Sequence, residues 1–238
     1  MNSTAGYLIS WLTGDASVIE VLMSLFATLT VIFICSPVHE CAHALVAKLC
    51  GDDTAERMGR VTLNPFAHID LVGAILIFLC HLGYAKPVPV DLVRCRKVPI
   101  RVANLLISIA GPLSNFVMAF ILLIPYKIFY VQYVEAFYDP TMADRAQILY
   151  WLAMVFYIAA QINVSIMLFN LIPVPPLDGY RVLDTFLSPK AERFIDRNAR
   201  FFQIGLLVLV LSPILRFPLS FAVRGIMGFL QLPLFFIG

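Results

Sequence analysis

Long apolar runs broken by short polar clusters dominate this chain. Five of them, at 18–50, 101–126, 147–172, 201–216 and 218–237, are long enough to cross a bilayer or nearly so, since a crossing helix needs roughly 20 apolar residues. The first exceeds a span, so its last turns are expected to leave the hydrocarbon. The fourth is short, and Pro213 and Pro218 break the stretch that joins it to the fifth. A further apolar stretch, LVGAILIFLCHLGY at 71–84, has only fourteen residues and contains a histidine. That length suits a re-entrant or interfacial helix better than a crossing.

Between the first and second spans the pattern changes. In GDDTAERMGRVTLNPFAHID, the piece GRVTLN reads as a short strand. Val61, Thr62 and Leu63 favour extended backbone, and Pro65 biases Asn64 the same way. KPVPVDLVRCRKVPIR is basic and punctuated by proline. Irregular backbone near a membrane must be covered by protein or line a wet cavity, so this region is expected to pack on the bundle near its surface. The predicted fold is an all-α polytopic membrane protein. It has about five to six transmembrane helices and a short re-entrant or β-hairpin region after the first. Residues 1–238 form one integral-membrane domain, with a core at about 18–184 and a C-terminal helical pair at about 200–237.

Composition agrees. The 238 residues are 61% hydrophobic and 13% charged, against roughly 25% charged in soluble domains. This excludes a large soluble domain, and the partner the composition implies is the lipid bilayer, not nucleic acid. The five cysteines, at 35, 41, 50, 80 and 95, include no CxxC and read as free thiols. The N-terminus lacks the basic start and small-residue cleavage site of a signal peptide.

Chemistry concentrates at the end of the first span. His39-Glu40-Cys41-Ala42-His43 is an HExxH motif. On a helix, residues i and i+4 lie about 40° apart, so both imidazoles can reach one metal ion. Glu40 lies about 100° round and flanks that face as a general base, whereas Cys41, about 200° round, faces away. Ionisable groups inside spans are costly and mark function. A catalytic zinc needs a third protein ligand. The best acid at membrane depth is Asp178 in NLIPVPPLDGYRVL, where Pro173, Pro175 and Pro176 unwind the end of an apolar helix. Asp178 also suits an N-cap, and Asp184 is a rival ligand. His68 suits ordering of its loop, and His81 an interfacial or hydrogen-bonded place.

HECAH in an apolar helix, NPFAHID, AGPLSN at 110–115 and NLIPVPPLDG at 170–179, in this order, resemble the site-2 protease family of intramembrane zinc metalloproteases. The resemblance implies that His39, His43 and Asp178 bind one Zn2+ ion and that Glu40 is the catalytic base. It also implies that Asn170 and Asn115 line the site, with Asn170 the better placed to aid the oxyanion or substrate. The implied activity is hydrolysis of peptide bonds in membrane-spanning substrates within or near the bilayer. Residues 1–17 and those beyond about 200 carry none of the matched motifs.

A shared ion makes a topological demand. His39 and His43 lie near the C-terminal end of the first helix, and Asp178 lies just past the end of 147–172. These helices must run in the same direction with one antiparallel span, 101–126, between them, so 71–84 must not cross fully. Most Lys and Arg, from Lys48 to Arg101 and from Arg181 to Arg200, then fall on one face, and Lys127, Arg145 and Arg216 on the other. By the positive-inside rule the zinc end faces the cytoplasm. The expected location is a prokaryotic cytoplasmic membrane. The competing readings are an intramembrane zinc transporter or sensor, and an inactive relative that binds transmembrane helices. The oligomeric state is not legible.

Overall fold

The computed structural model describes residues 3–83 and 85–236. Tyr84 and Ile237, the last residues of two predicted apolar segments, lie outside the described residues. Helices follow one another along the chain. α1 (Thr4–Leu12) precedes α2 (Val18–Thr30), which runs through a π turn, Val31–Cys35, into α3 (Ser36–Cys50). Two single-turn helices, α4 (Thr54–Arg57) and α5 (Pro65–His68), and the short α6 (Leu71–Cys80) come next. The longest helices, α7 (Ile100–Phe137) and α8 (Ala143–Asn170), pack along each other. They are followed by α9 (Asp178–Asp184), α10 (Pro189–Arg197), α11 (Ala199–Leu211) and α12 (Pro213–Gln231).

Four helical stretches are long and apolar enough to cross a membrane: Val18–Cys50, Ile100–Phe137, Pro140–Asn170 and Phe217–Phe236. The chain is an all-α membrane protein. Leu71–Cys80 and Ala199–Val210 are shorter apolar helices. At ten residues, α6 is about 15 Å long, half the roughly 30 Å of a hydrocarbon core. The main core lies where α2, α7, α8 and α12 meet, around Ala27, Val31, Leu123, Ala160, Ile162 and Val223. Alanines at these contacts let the helices approach closely.

The direction of the helices can be read from side-chain contacts. His43 reaches Ile107, and His39 and His43 both lie against Gly111. Position rises on α7 as it falls on α3, so these two are antiparallel. α8 returns after the short turn Pro140–Met142, which makes it parallel to α2–α3.

GRVTLN does not form the predicted strand. No strand occurs among the described residues, and 60–64 is irregular. Local polar groups take over its backbone. The Thr62 hydroxyl accepts the Asn64 N–H, the Asn64 side chain accepts the Phe66 N–H to cap α5, and His68 Nε2 bonds the Thr62 carbonyl. Such local bonds compete directly with a ladder.

Asp52 performs a similar task. It is fully buried, its Oδ1 accepts the Thr54 amide at 3.0 Å, and its Oδ2 accepts the Asp91 amide at 2.7 Å. Burial works against its ionisation. The Thr54 hydroxyl and the two amides outweigh burial and hold the carboxyl below the ordinary carboxylate range. Asp52→Ala strips two amides of their acceptor and should cost about 1–3 kcal/mol in detergent unfolding at neutral pH. Because the folded value lies below the unfolded one of about 3.9, this contribution is present above about pH 4 and is lost as pH falls through the folded value. The gap between wild type and Asp52→Ala should therefore narrow in acid. A constant gap would show that the carboxylate charge is not involved.

Candidate metal centre

The HExxH helix begins with a conflict. Pro37 has no N–H, and its ring presses on the carbonyl of Phe33 in a continuous α-helix. The π turn at Val31–Cys35, in which the Ser36 N–H bonds the Val31 carbonyl, absorbs the mismatch without breaking the span. It also resets the register, so that α3 turns His39, Glu40 and His43 inward. These three are buried, at 7%, 6% and 8% exposure.

His43 Nδ1 lies 2.6 Å from the Ile107 carbonyl. A carbonyl only accepts, so Nδ1 carries the proton and Nε2 presents a lone pair. That lone pair points to His39 Nε2 at 3.1 Å. On the other side, α8 ends at Asn170 and the chain passes through Pro173, Pro175 and Pro176 before α9 starts at Asp178. Gly179 permits this reversal, because a Cβ there would collide with the Leu171 carbonyl. Asp178 is not an N-cap; Leu177 takes that place. Asp178 Oδ2 lies 3.4 Å from His39 Nε2 and 3.2 Å from His43 Nε2.

Two imidazole nitrogens and one carboxylate oxygen thus face a common point. They form the only group of three potential ligands found among the described residues. Three acceptors at this spacing repel unless a cation lies among them. A tetrahedral ion with bonds of about 2.0–2.1 Å has ligand atoms roughly 3.3 Å apart, so the residues present fit Zn2+. His43 also has the expected outer support, its second nitrogen being held by a backbone carbonyl. His39 Nδ1 is buried without a partner.

A cavity of about 540 Å3 opens beside these atoms. Glu40, Asn115, Asn170 and Arg181 line it, with α6 on one side and Gln203 and Leu206 of α11 on another. Both predicted asparagines therefore reach the site. Asn115 is 2% exposed, with a side-chain N–H group lacking a partner. Glu40 Oε2 accepts the backbone N–H of Val88 at 3.2 Å. Cys41 and Asp184 do not line the cavity, and His68 is fully buried on Thr62. His81 is also buried, against the Thr4 hydroxyl at 3.3 Å.

Sequence reasoning missed three elements: the Ile107 carbonyl, the Val88 amide and the full meaning of Gly111. The first two are backbone groups that no residue type advertises. Gly111, read as a site of close packing, lies directly against His39 and His43.

Comparison with known proteins fits this geometry. The model of peptidase family M50 matches residues 27–212. "Putative zinc metalloprotease YwhC" of Bacillus subtilis is 40% identical over 196 residues, covering 81% of this chain and 84% of the relative. "Putative zinc metalloprotease Rip2" of Mycolicibacterium smegmatis is 29% identical over 180 residues, covering 74% of this chain and 63% of the relative. Rip2 of Mycobacterium tuberculosis is 27% identical over 217 residues, covering 90% and 78%. No solved structure matches. The chain belongs to peptidase family M50, the site-2 protease family.

A Cβ at residue 111 would press on His43 Nε2 and on His39 Cε1 and Nε2. Gly111→Ala should lower zinc affinity by about 10–100-fold, the usual cost of disturbing ligand support. Metal titration of the purified protein checks this. Unaltered affinity would mean that the imidazoles can move aside freely.

Proposed function

We propose that this protein is a zinc-dependent endopeptidase that hydrolyses peptide bonds of membrane-spanning substrates within or near the bilayer. The observation that carries the reading is the meeting of His39, His43 and Asp178 at 3.1–3.4 Å with Glu40 in the same cavity. His39, His43 and Asp178 hold one ion. When bound, zinc polarises a carbonyl and makes water more acidic. Glu40 takes a proton from the attacking water and delivers it to the leaving amine. Asn170 and Asn115 donate hydrogen bonds to the oxyanion or orient the substrate backbone, each worth about 10²–10³ in rate. The substrate is a transmembrane segment locally unwound, because a helix hides its peptide bonds in its own ladder.

The named relatives are bacterial, which supports a cytoplasmic membrane as the location. The basic residues around 48–101 and 181–200 support a zinc site towards the cytoplasm. Residues 18–184 act as the catalytic core and the C-terminal helices as its flank. A zinc transporter needs successive ligand sets along a path, and one group is found among the described residues. An inactive helix-binding relative has no use for a carboxylate at Glu40.

Glu40→Gln keeps the shape and hydrogen bonding of the side chain but not its basicity. It should lower cleavage by about 10²–10⁴-fold while zinc content stays at one ion per chain. Comparing membrane proteins of wild-type and Glu40→Gln cells would identify the substrate, and a liposome assay would then measure the rate. Zinc flux equal in both proteins, with no cleavage by wild type, would overturn the reading.

A further inference from the structure

His43 is held by the Ile107 carbonyl on a regular helix, whereas Glu40 is held by a segment with no regular structure. Glu40 accepts one N–H from another part of the chain, that of Val88 at 3.2 Å. Val88 sits in Lys86-Pro87-Val88-Pro89-Val90, where both neighbours are prolines. Prolines donate nothing, so the Val88 N–H is the only backbone donor at 87–89. Pro89 also biases Val88 towards extended backbone. The segment thus presents a single donor, and it is aimed at Glu40.

An extended segment with no strand partner needs other anchors. Its far end is tied by the Asp91 amide to Asp52. Its near end is tied by the Lys86 amide to the His68 carbonyl at 2.7 Å. The unexpected anchor is Arg60. This residue is 8% exposed, and its Nη2 donates to the Lys86 carbonyl at 2.6 Å and the Pro87 carbonyl at 3.3 Å. Among the described residues no carboxylate pairs with it. A buried guanidinium without an anion is costly, and here its hydrogen bonds go to the two carbonyls just before Val88. The Arg60 amide is itself fixed on the Ala55 carbonyl at 2.8 Å. Ala55, Val88 and Ala44, the residue after His43, form one buried cluster. The guanidinium is therefore mounted on the same small core as the helix that carries Glu40.

We infer that Arg60 is a positioning residue for the catalytic base: it clamps the Lys86 and Pro87 carbonyls so that the Val88 N–H holds one oxygen of Glu40. This rests on the protease reading above. A carboxylate has about four acceptor sites, so the Val88 N–H fixes Oε2 and leaves Oε1 for the proton. A base held by one donor on an otherwise irregular segment is only as well placed as that segment. An error near 1 Å at a reacting group costs about 10²-fold.

The test compares Arg60→Met, Arg60→Lys, Val88→Pro and the Arg60→Met/Val88→Pro pair in the full-length protein. Arg60→Met keeps the stem and removes the donors, whereas Arg60→Lys keeps a cation that can bridge both carbonyls. Val88→Pro deletes the N–H without touching the guanidinium, so it decides the matter where Arg60→Met folds poorly. Arg60→Met and Val88→Pro should each lower kcat by about 10–100-fold, with KM within about threefold and zinc content unchanged. Arg60→Lys should regain most of the loss. The double variant should be no slower than the worse single, because both act through one contact.

A second readout needs neither activity nor zinc. Hydrogen exchange at 86–91 in the metal-free protein should quicken by about tenfold in Arg60→Met and return towards wild type in Arg60→Lys. Losses confined to KM or zinc content, additive losses in the double variant, or unchanged exchange at 86–91 would overturn the inference. If wild type cleaves nothing, the protease reading fails. The exchange data would still decide whether Arg60 holds the Val88 amide.

Discussion

Three acceptor atoms from distant parts of the chain meet at one point, and the rest of the architecture follows from that meeting. His39 and His43 arrive on the end of one membrane helix, and Asp178 arrives just beyond the end of another. Both ends must lie at one depth, so the two helices run in parallel and α7 runs back between them. The closeness of α7 to α3 is set by the same point. Gly111 lies where any side chain would strike the imidazoles, and the carbonyl one turn earlier, that of Ile107, fixes the tautomer of His43. A helix chosen only for hydrophobic length would satisfy neither condition.

Burying ionisable groups at membrane depth is tolerable only where each finds a partner. The chain meets this through short side-chain-to-backbone bonds instead of regular ladders. Asp52, His68 and Arg60 tie together the loops that join α3 to α7 around the short helices α4, α5 and α6, each bonding a backbone group far along the chain or across a turn. This is why the region keeps a defined shape without a strand among its described residues, and why it can bring a backbone N–H to Glu40.

Much of this arrangement is legible in the amino-acid sequence. The spacing of HECAH places two imidazoles on one face, and the proline-broken LDG stretch offers an acid at the right depth. Sharing one ion then predicts helix direction and demotes 71–84 from a crossing; α6 is indeed too short to span. Asn115 and Asn170 are legible through family resemblance, not through spacing. The rest is hidden for physical reasons. The preference of Val61-Thr62-Leu63 for extended backbone is weak, and the Thr62, Asn64 and His68 side chains capture the local N–H and C=O groups first. The π turn answers to a clash between Pro37 and the preceding turn, which hydrophobic periodicity does not register. The Val88 and Ile107 contacts use main-chain atoms, which every sequence possesses.

The cavity wall built by α6 poses a problem that apolar packing alone does not solve. A ten-residue helix beside a membrane-depth cavity ends inside the protein, where its last carbonyls need partners. The helix closes at His81, in the left-handed conformation with its N–H on the Ile77 carbonyl. Gly83 then folds back so closely that a Cβ would strike the Gly73 carbonyl. The imidazole of His81 meets Thr4 through Nε2, and the Thr4 hydroxyl contacts the Ser24 and Thr28 hydroxyls at 2.9 and 2.7 Å. All four side chains are at most 2% exposed. A hydroxyl can donate and accept in turn, so this cluster fits a neutral imidazole without a charged partner. α1 and α2 therefore help to hold one wall of the cavity in place through His81. Thr4, on a helix outside the matched family region, thus contacts a wall of the cavity that holds His39, His43 and Asp178.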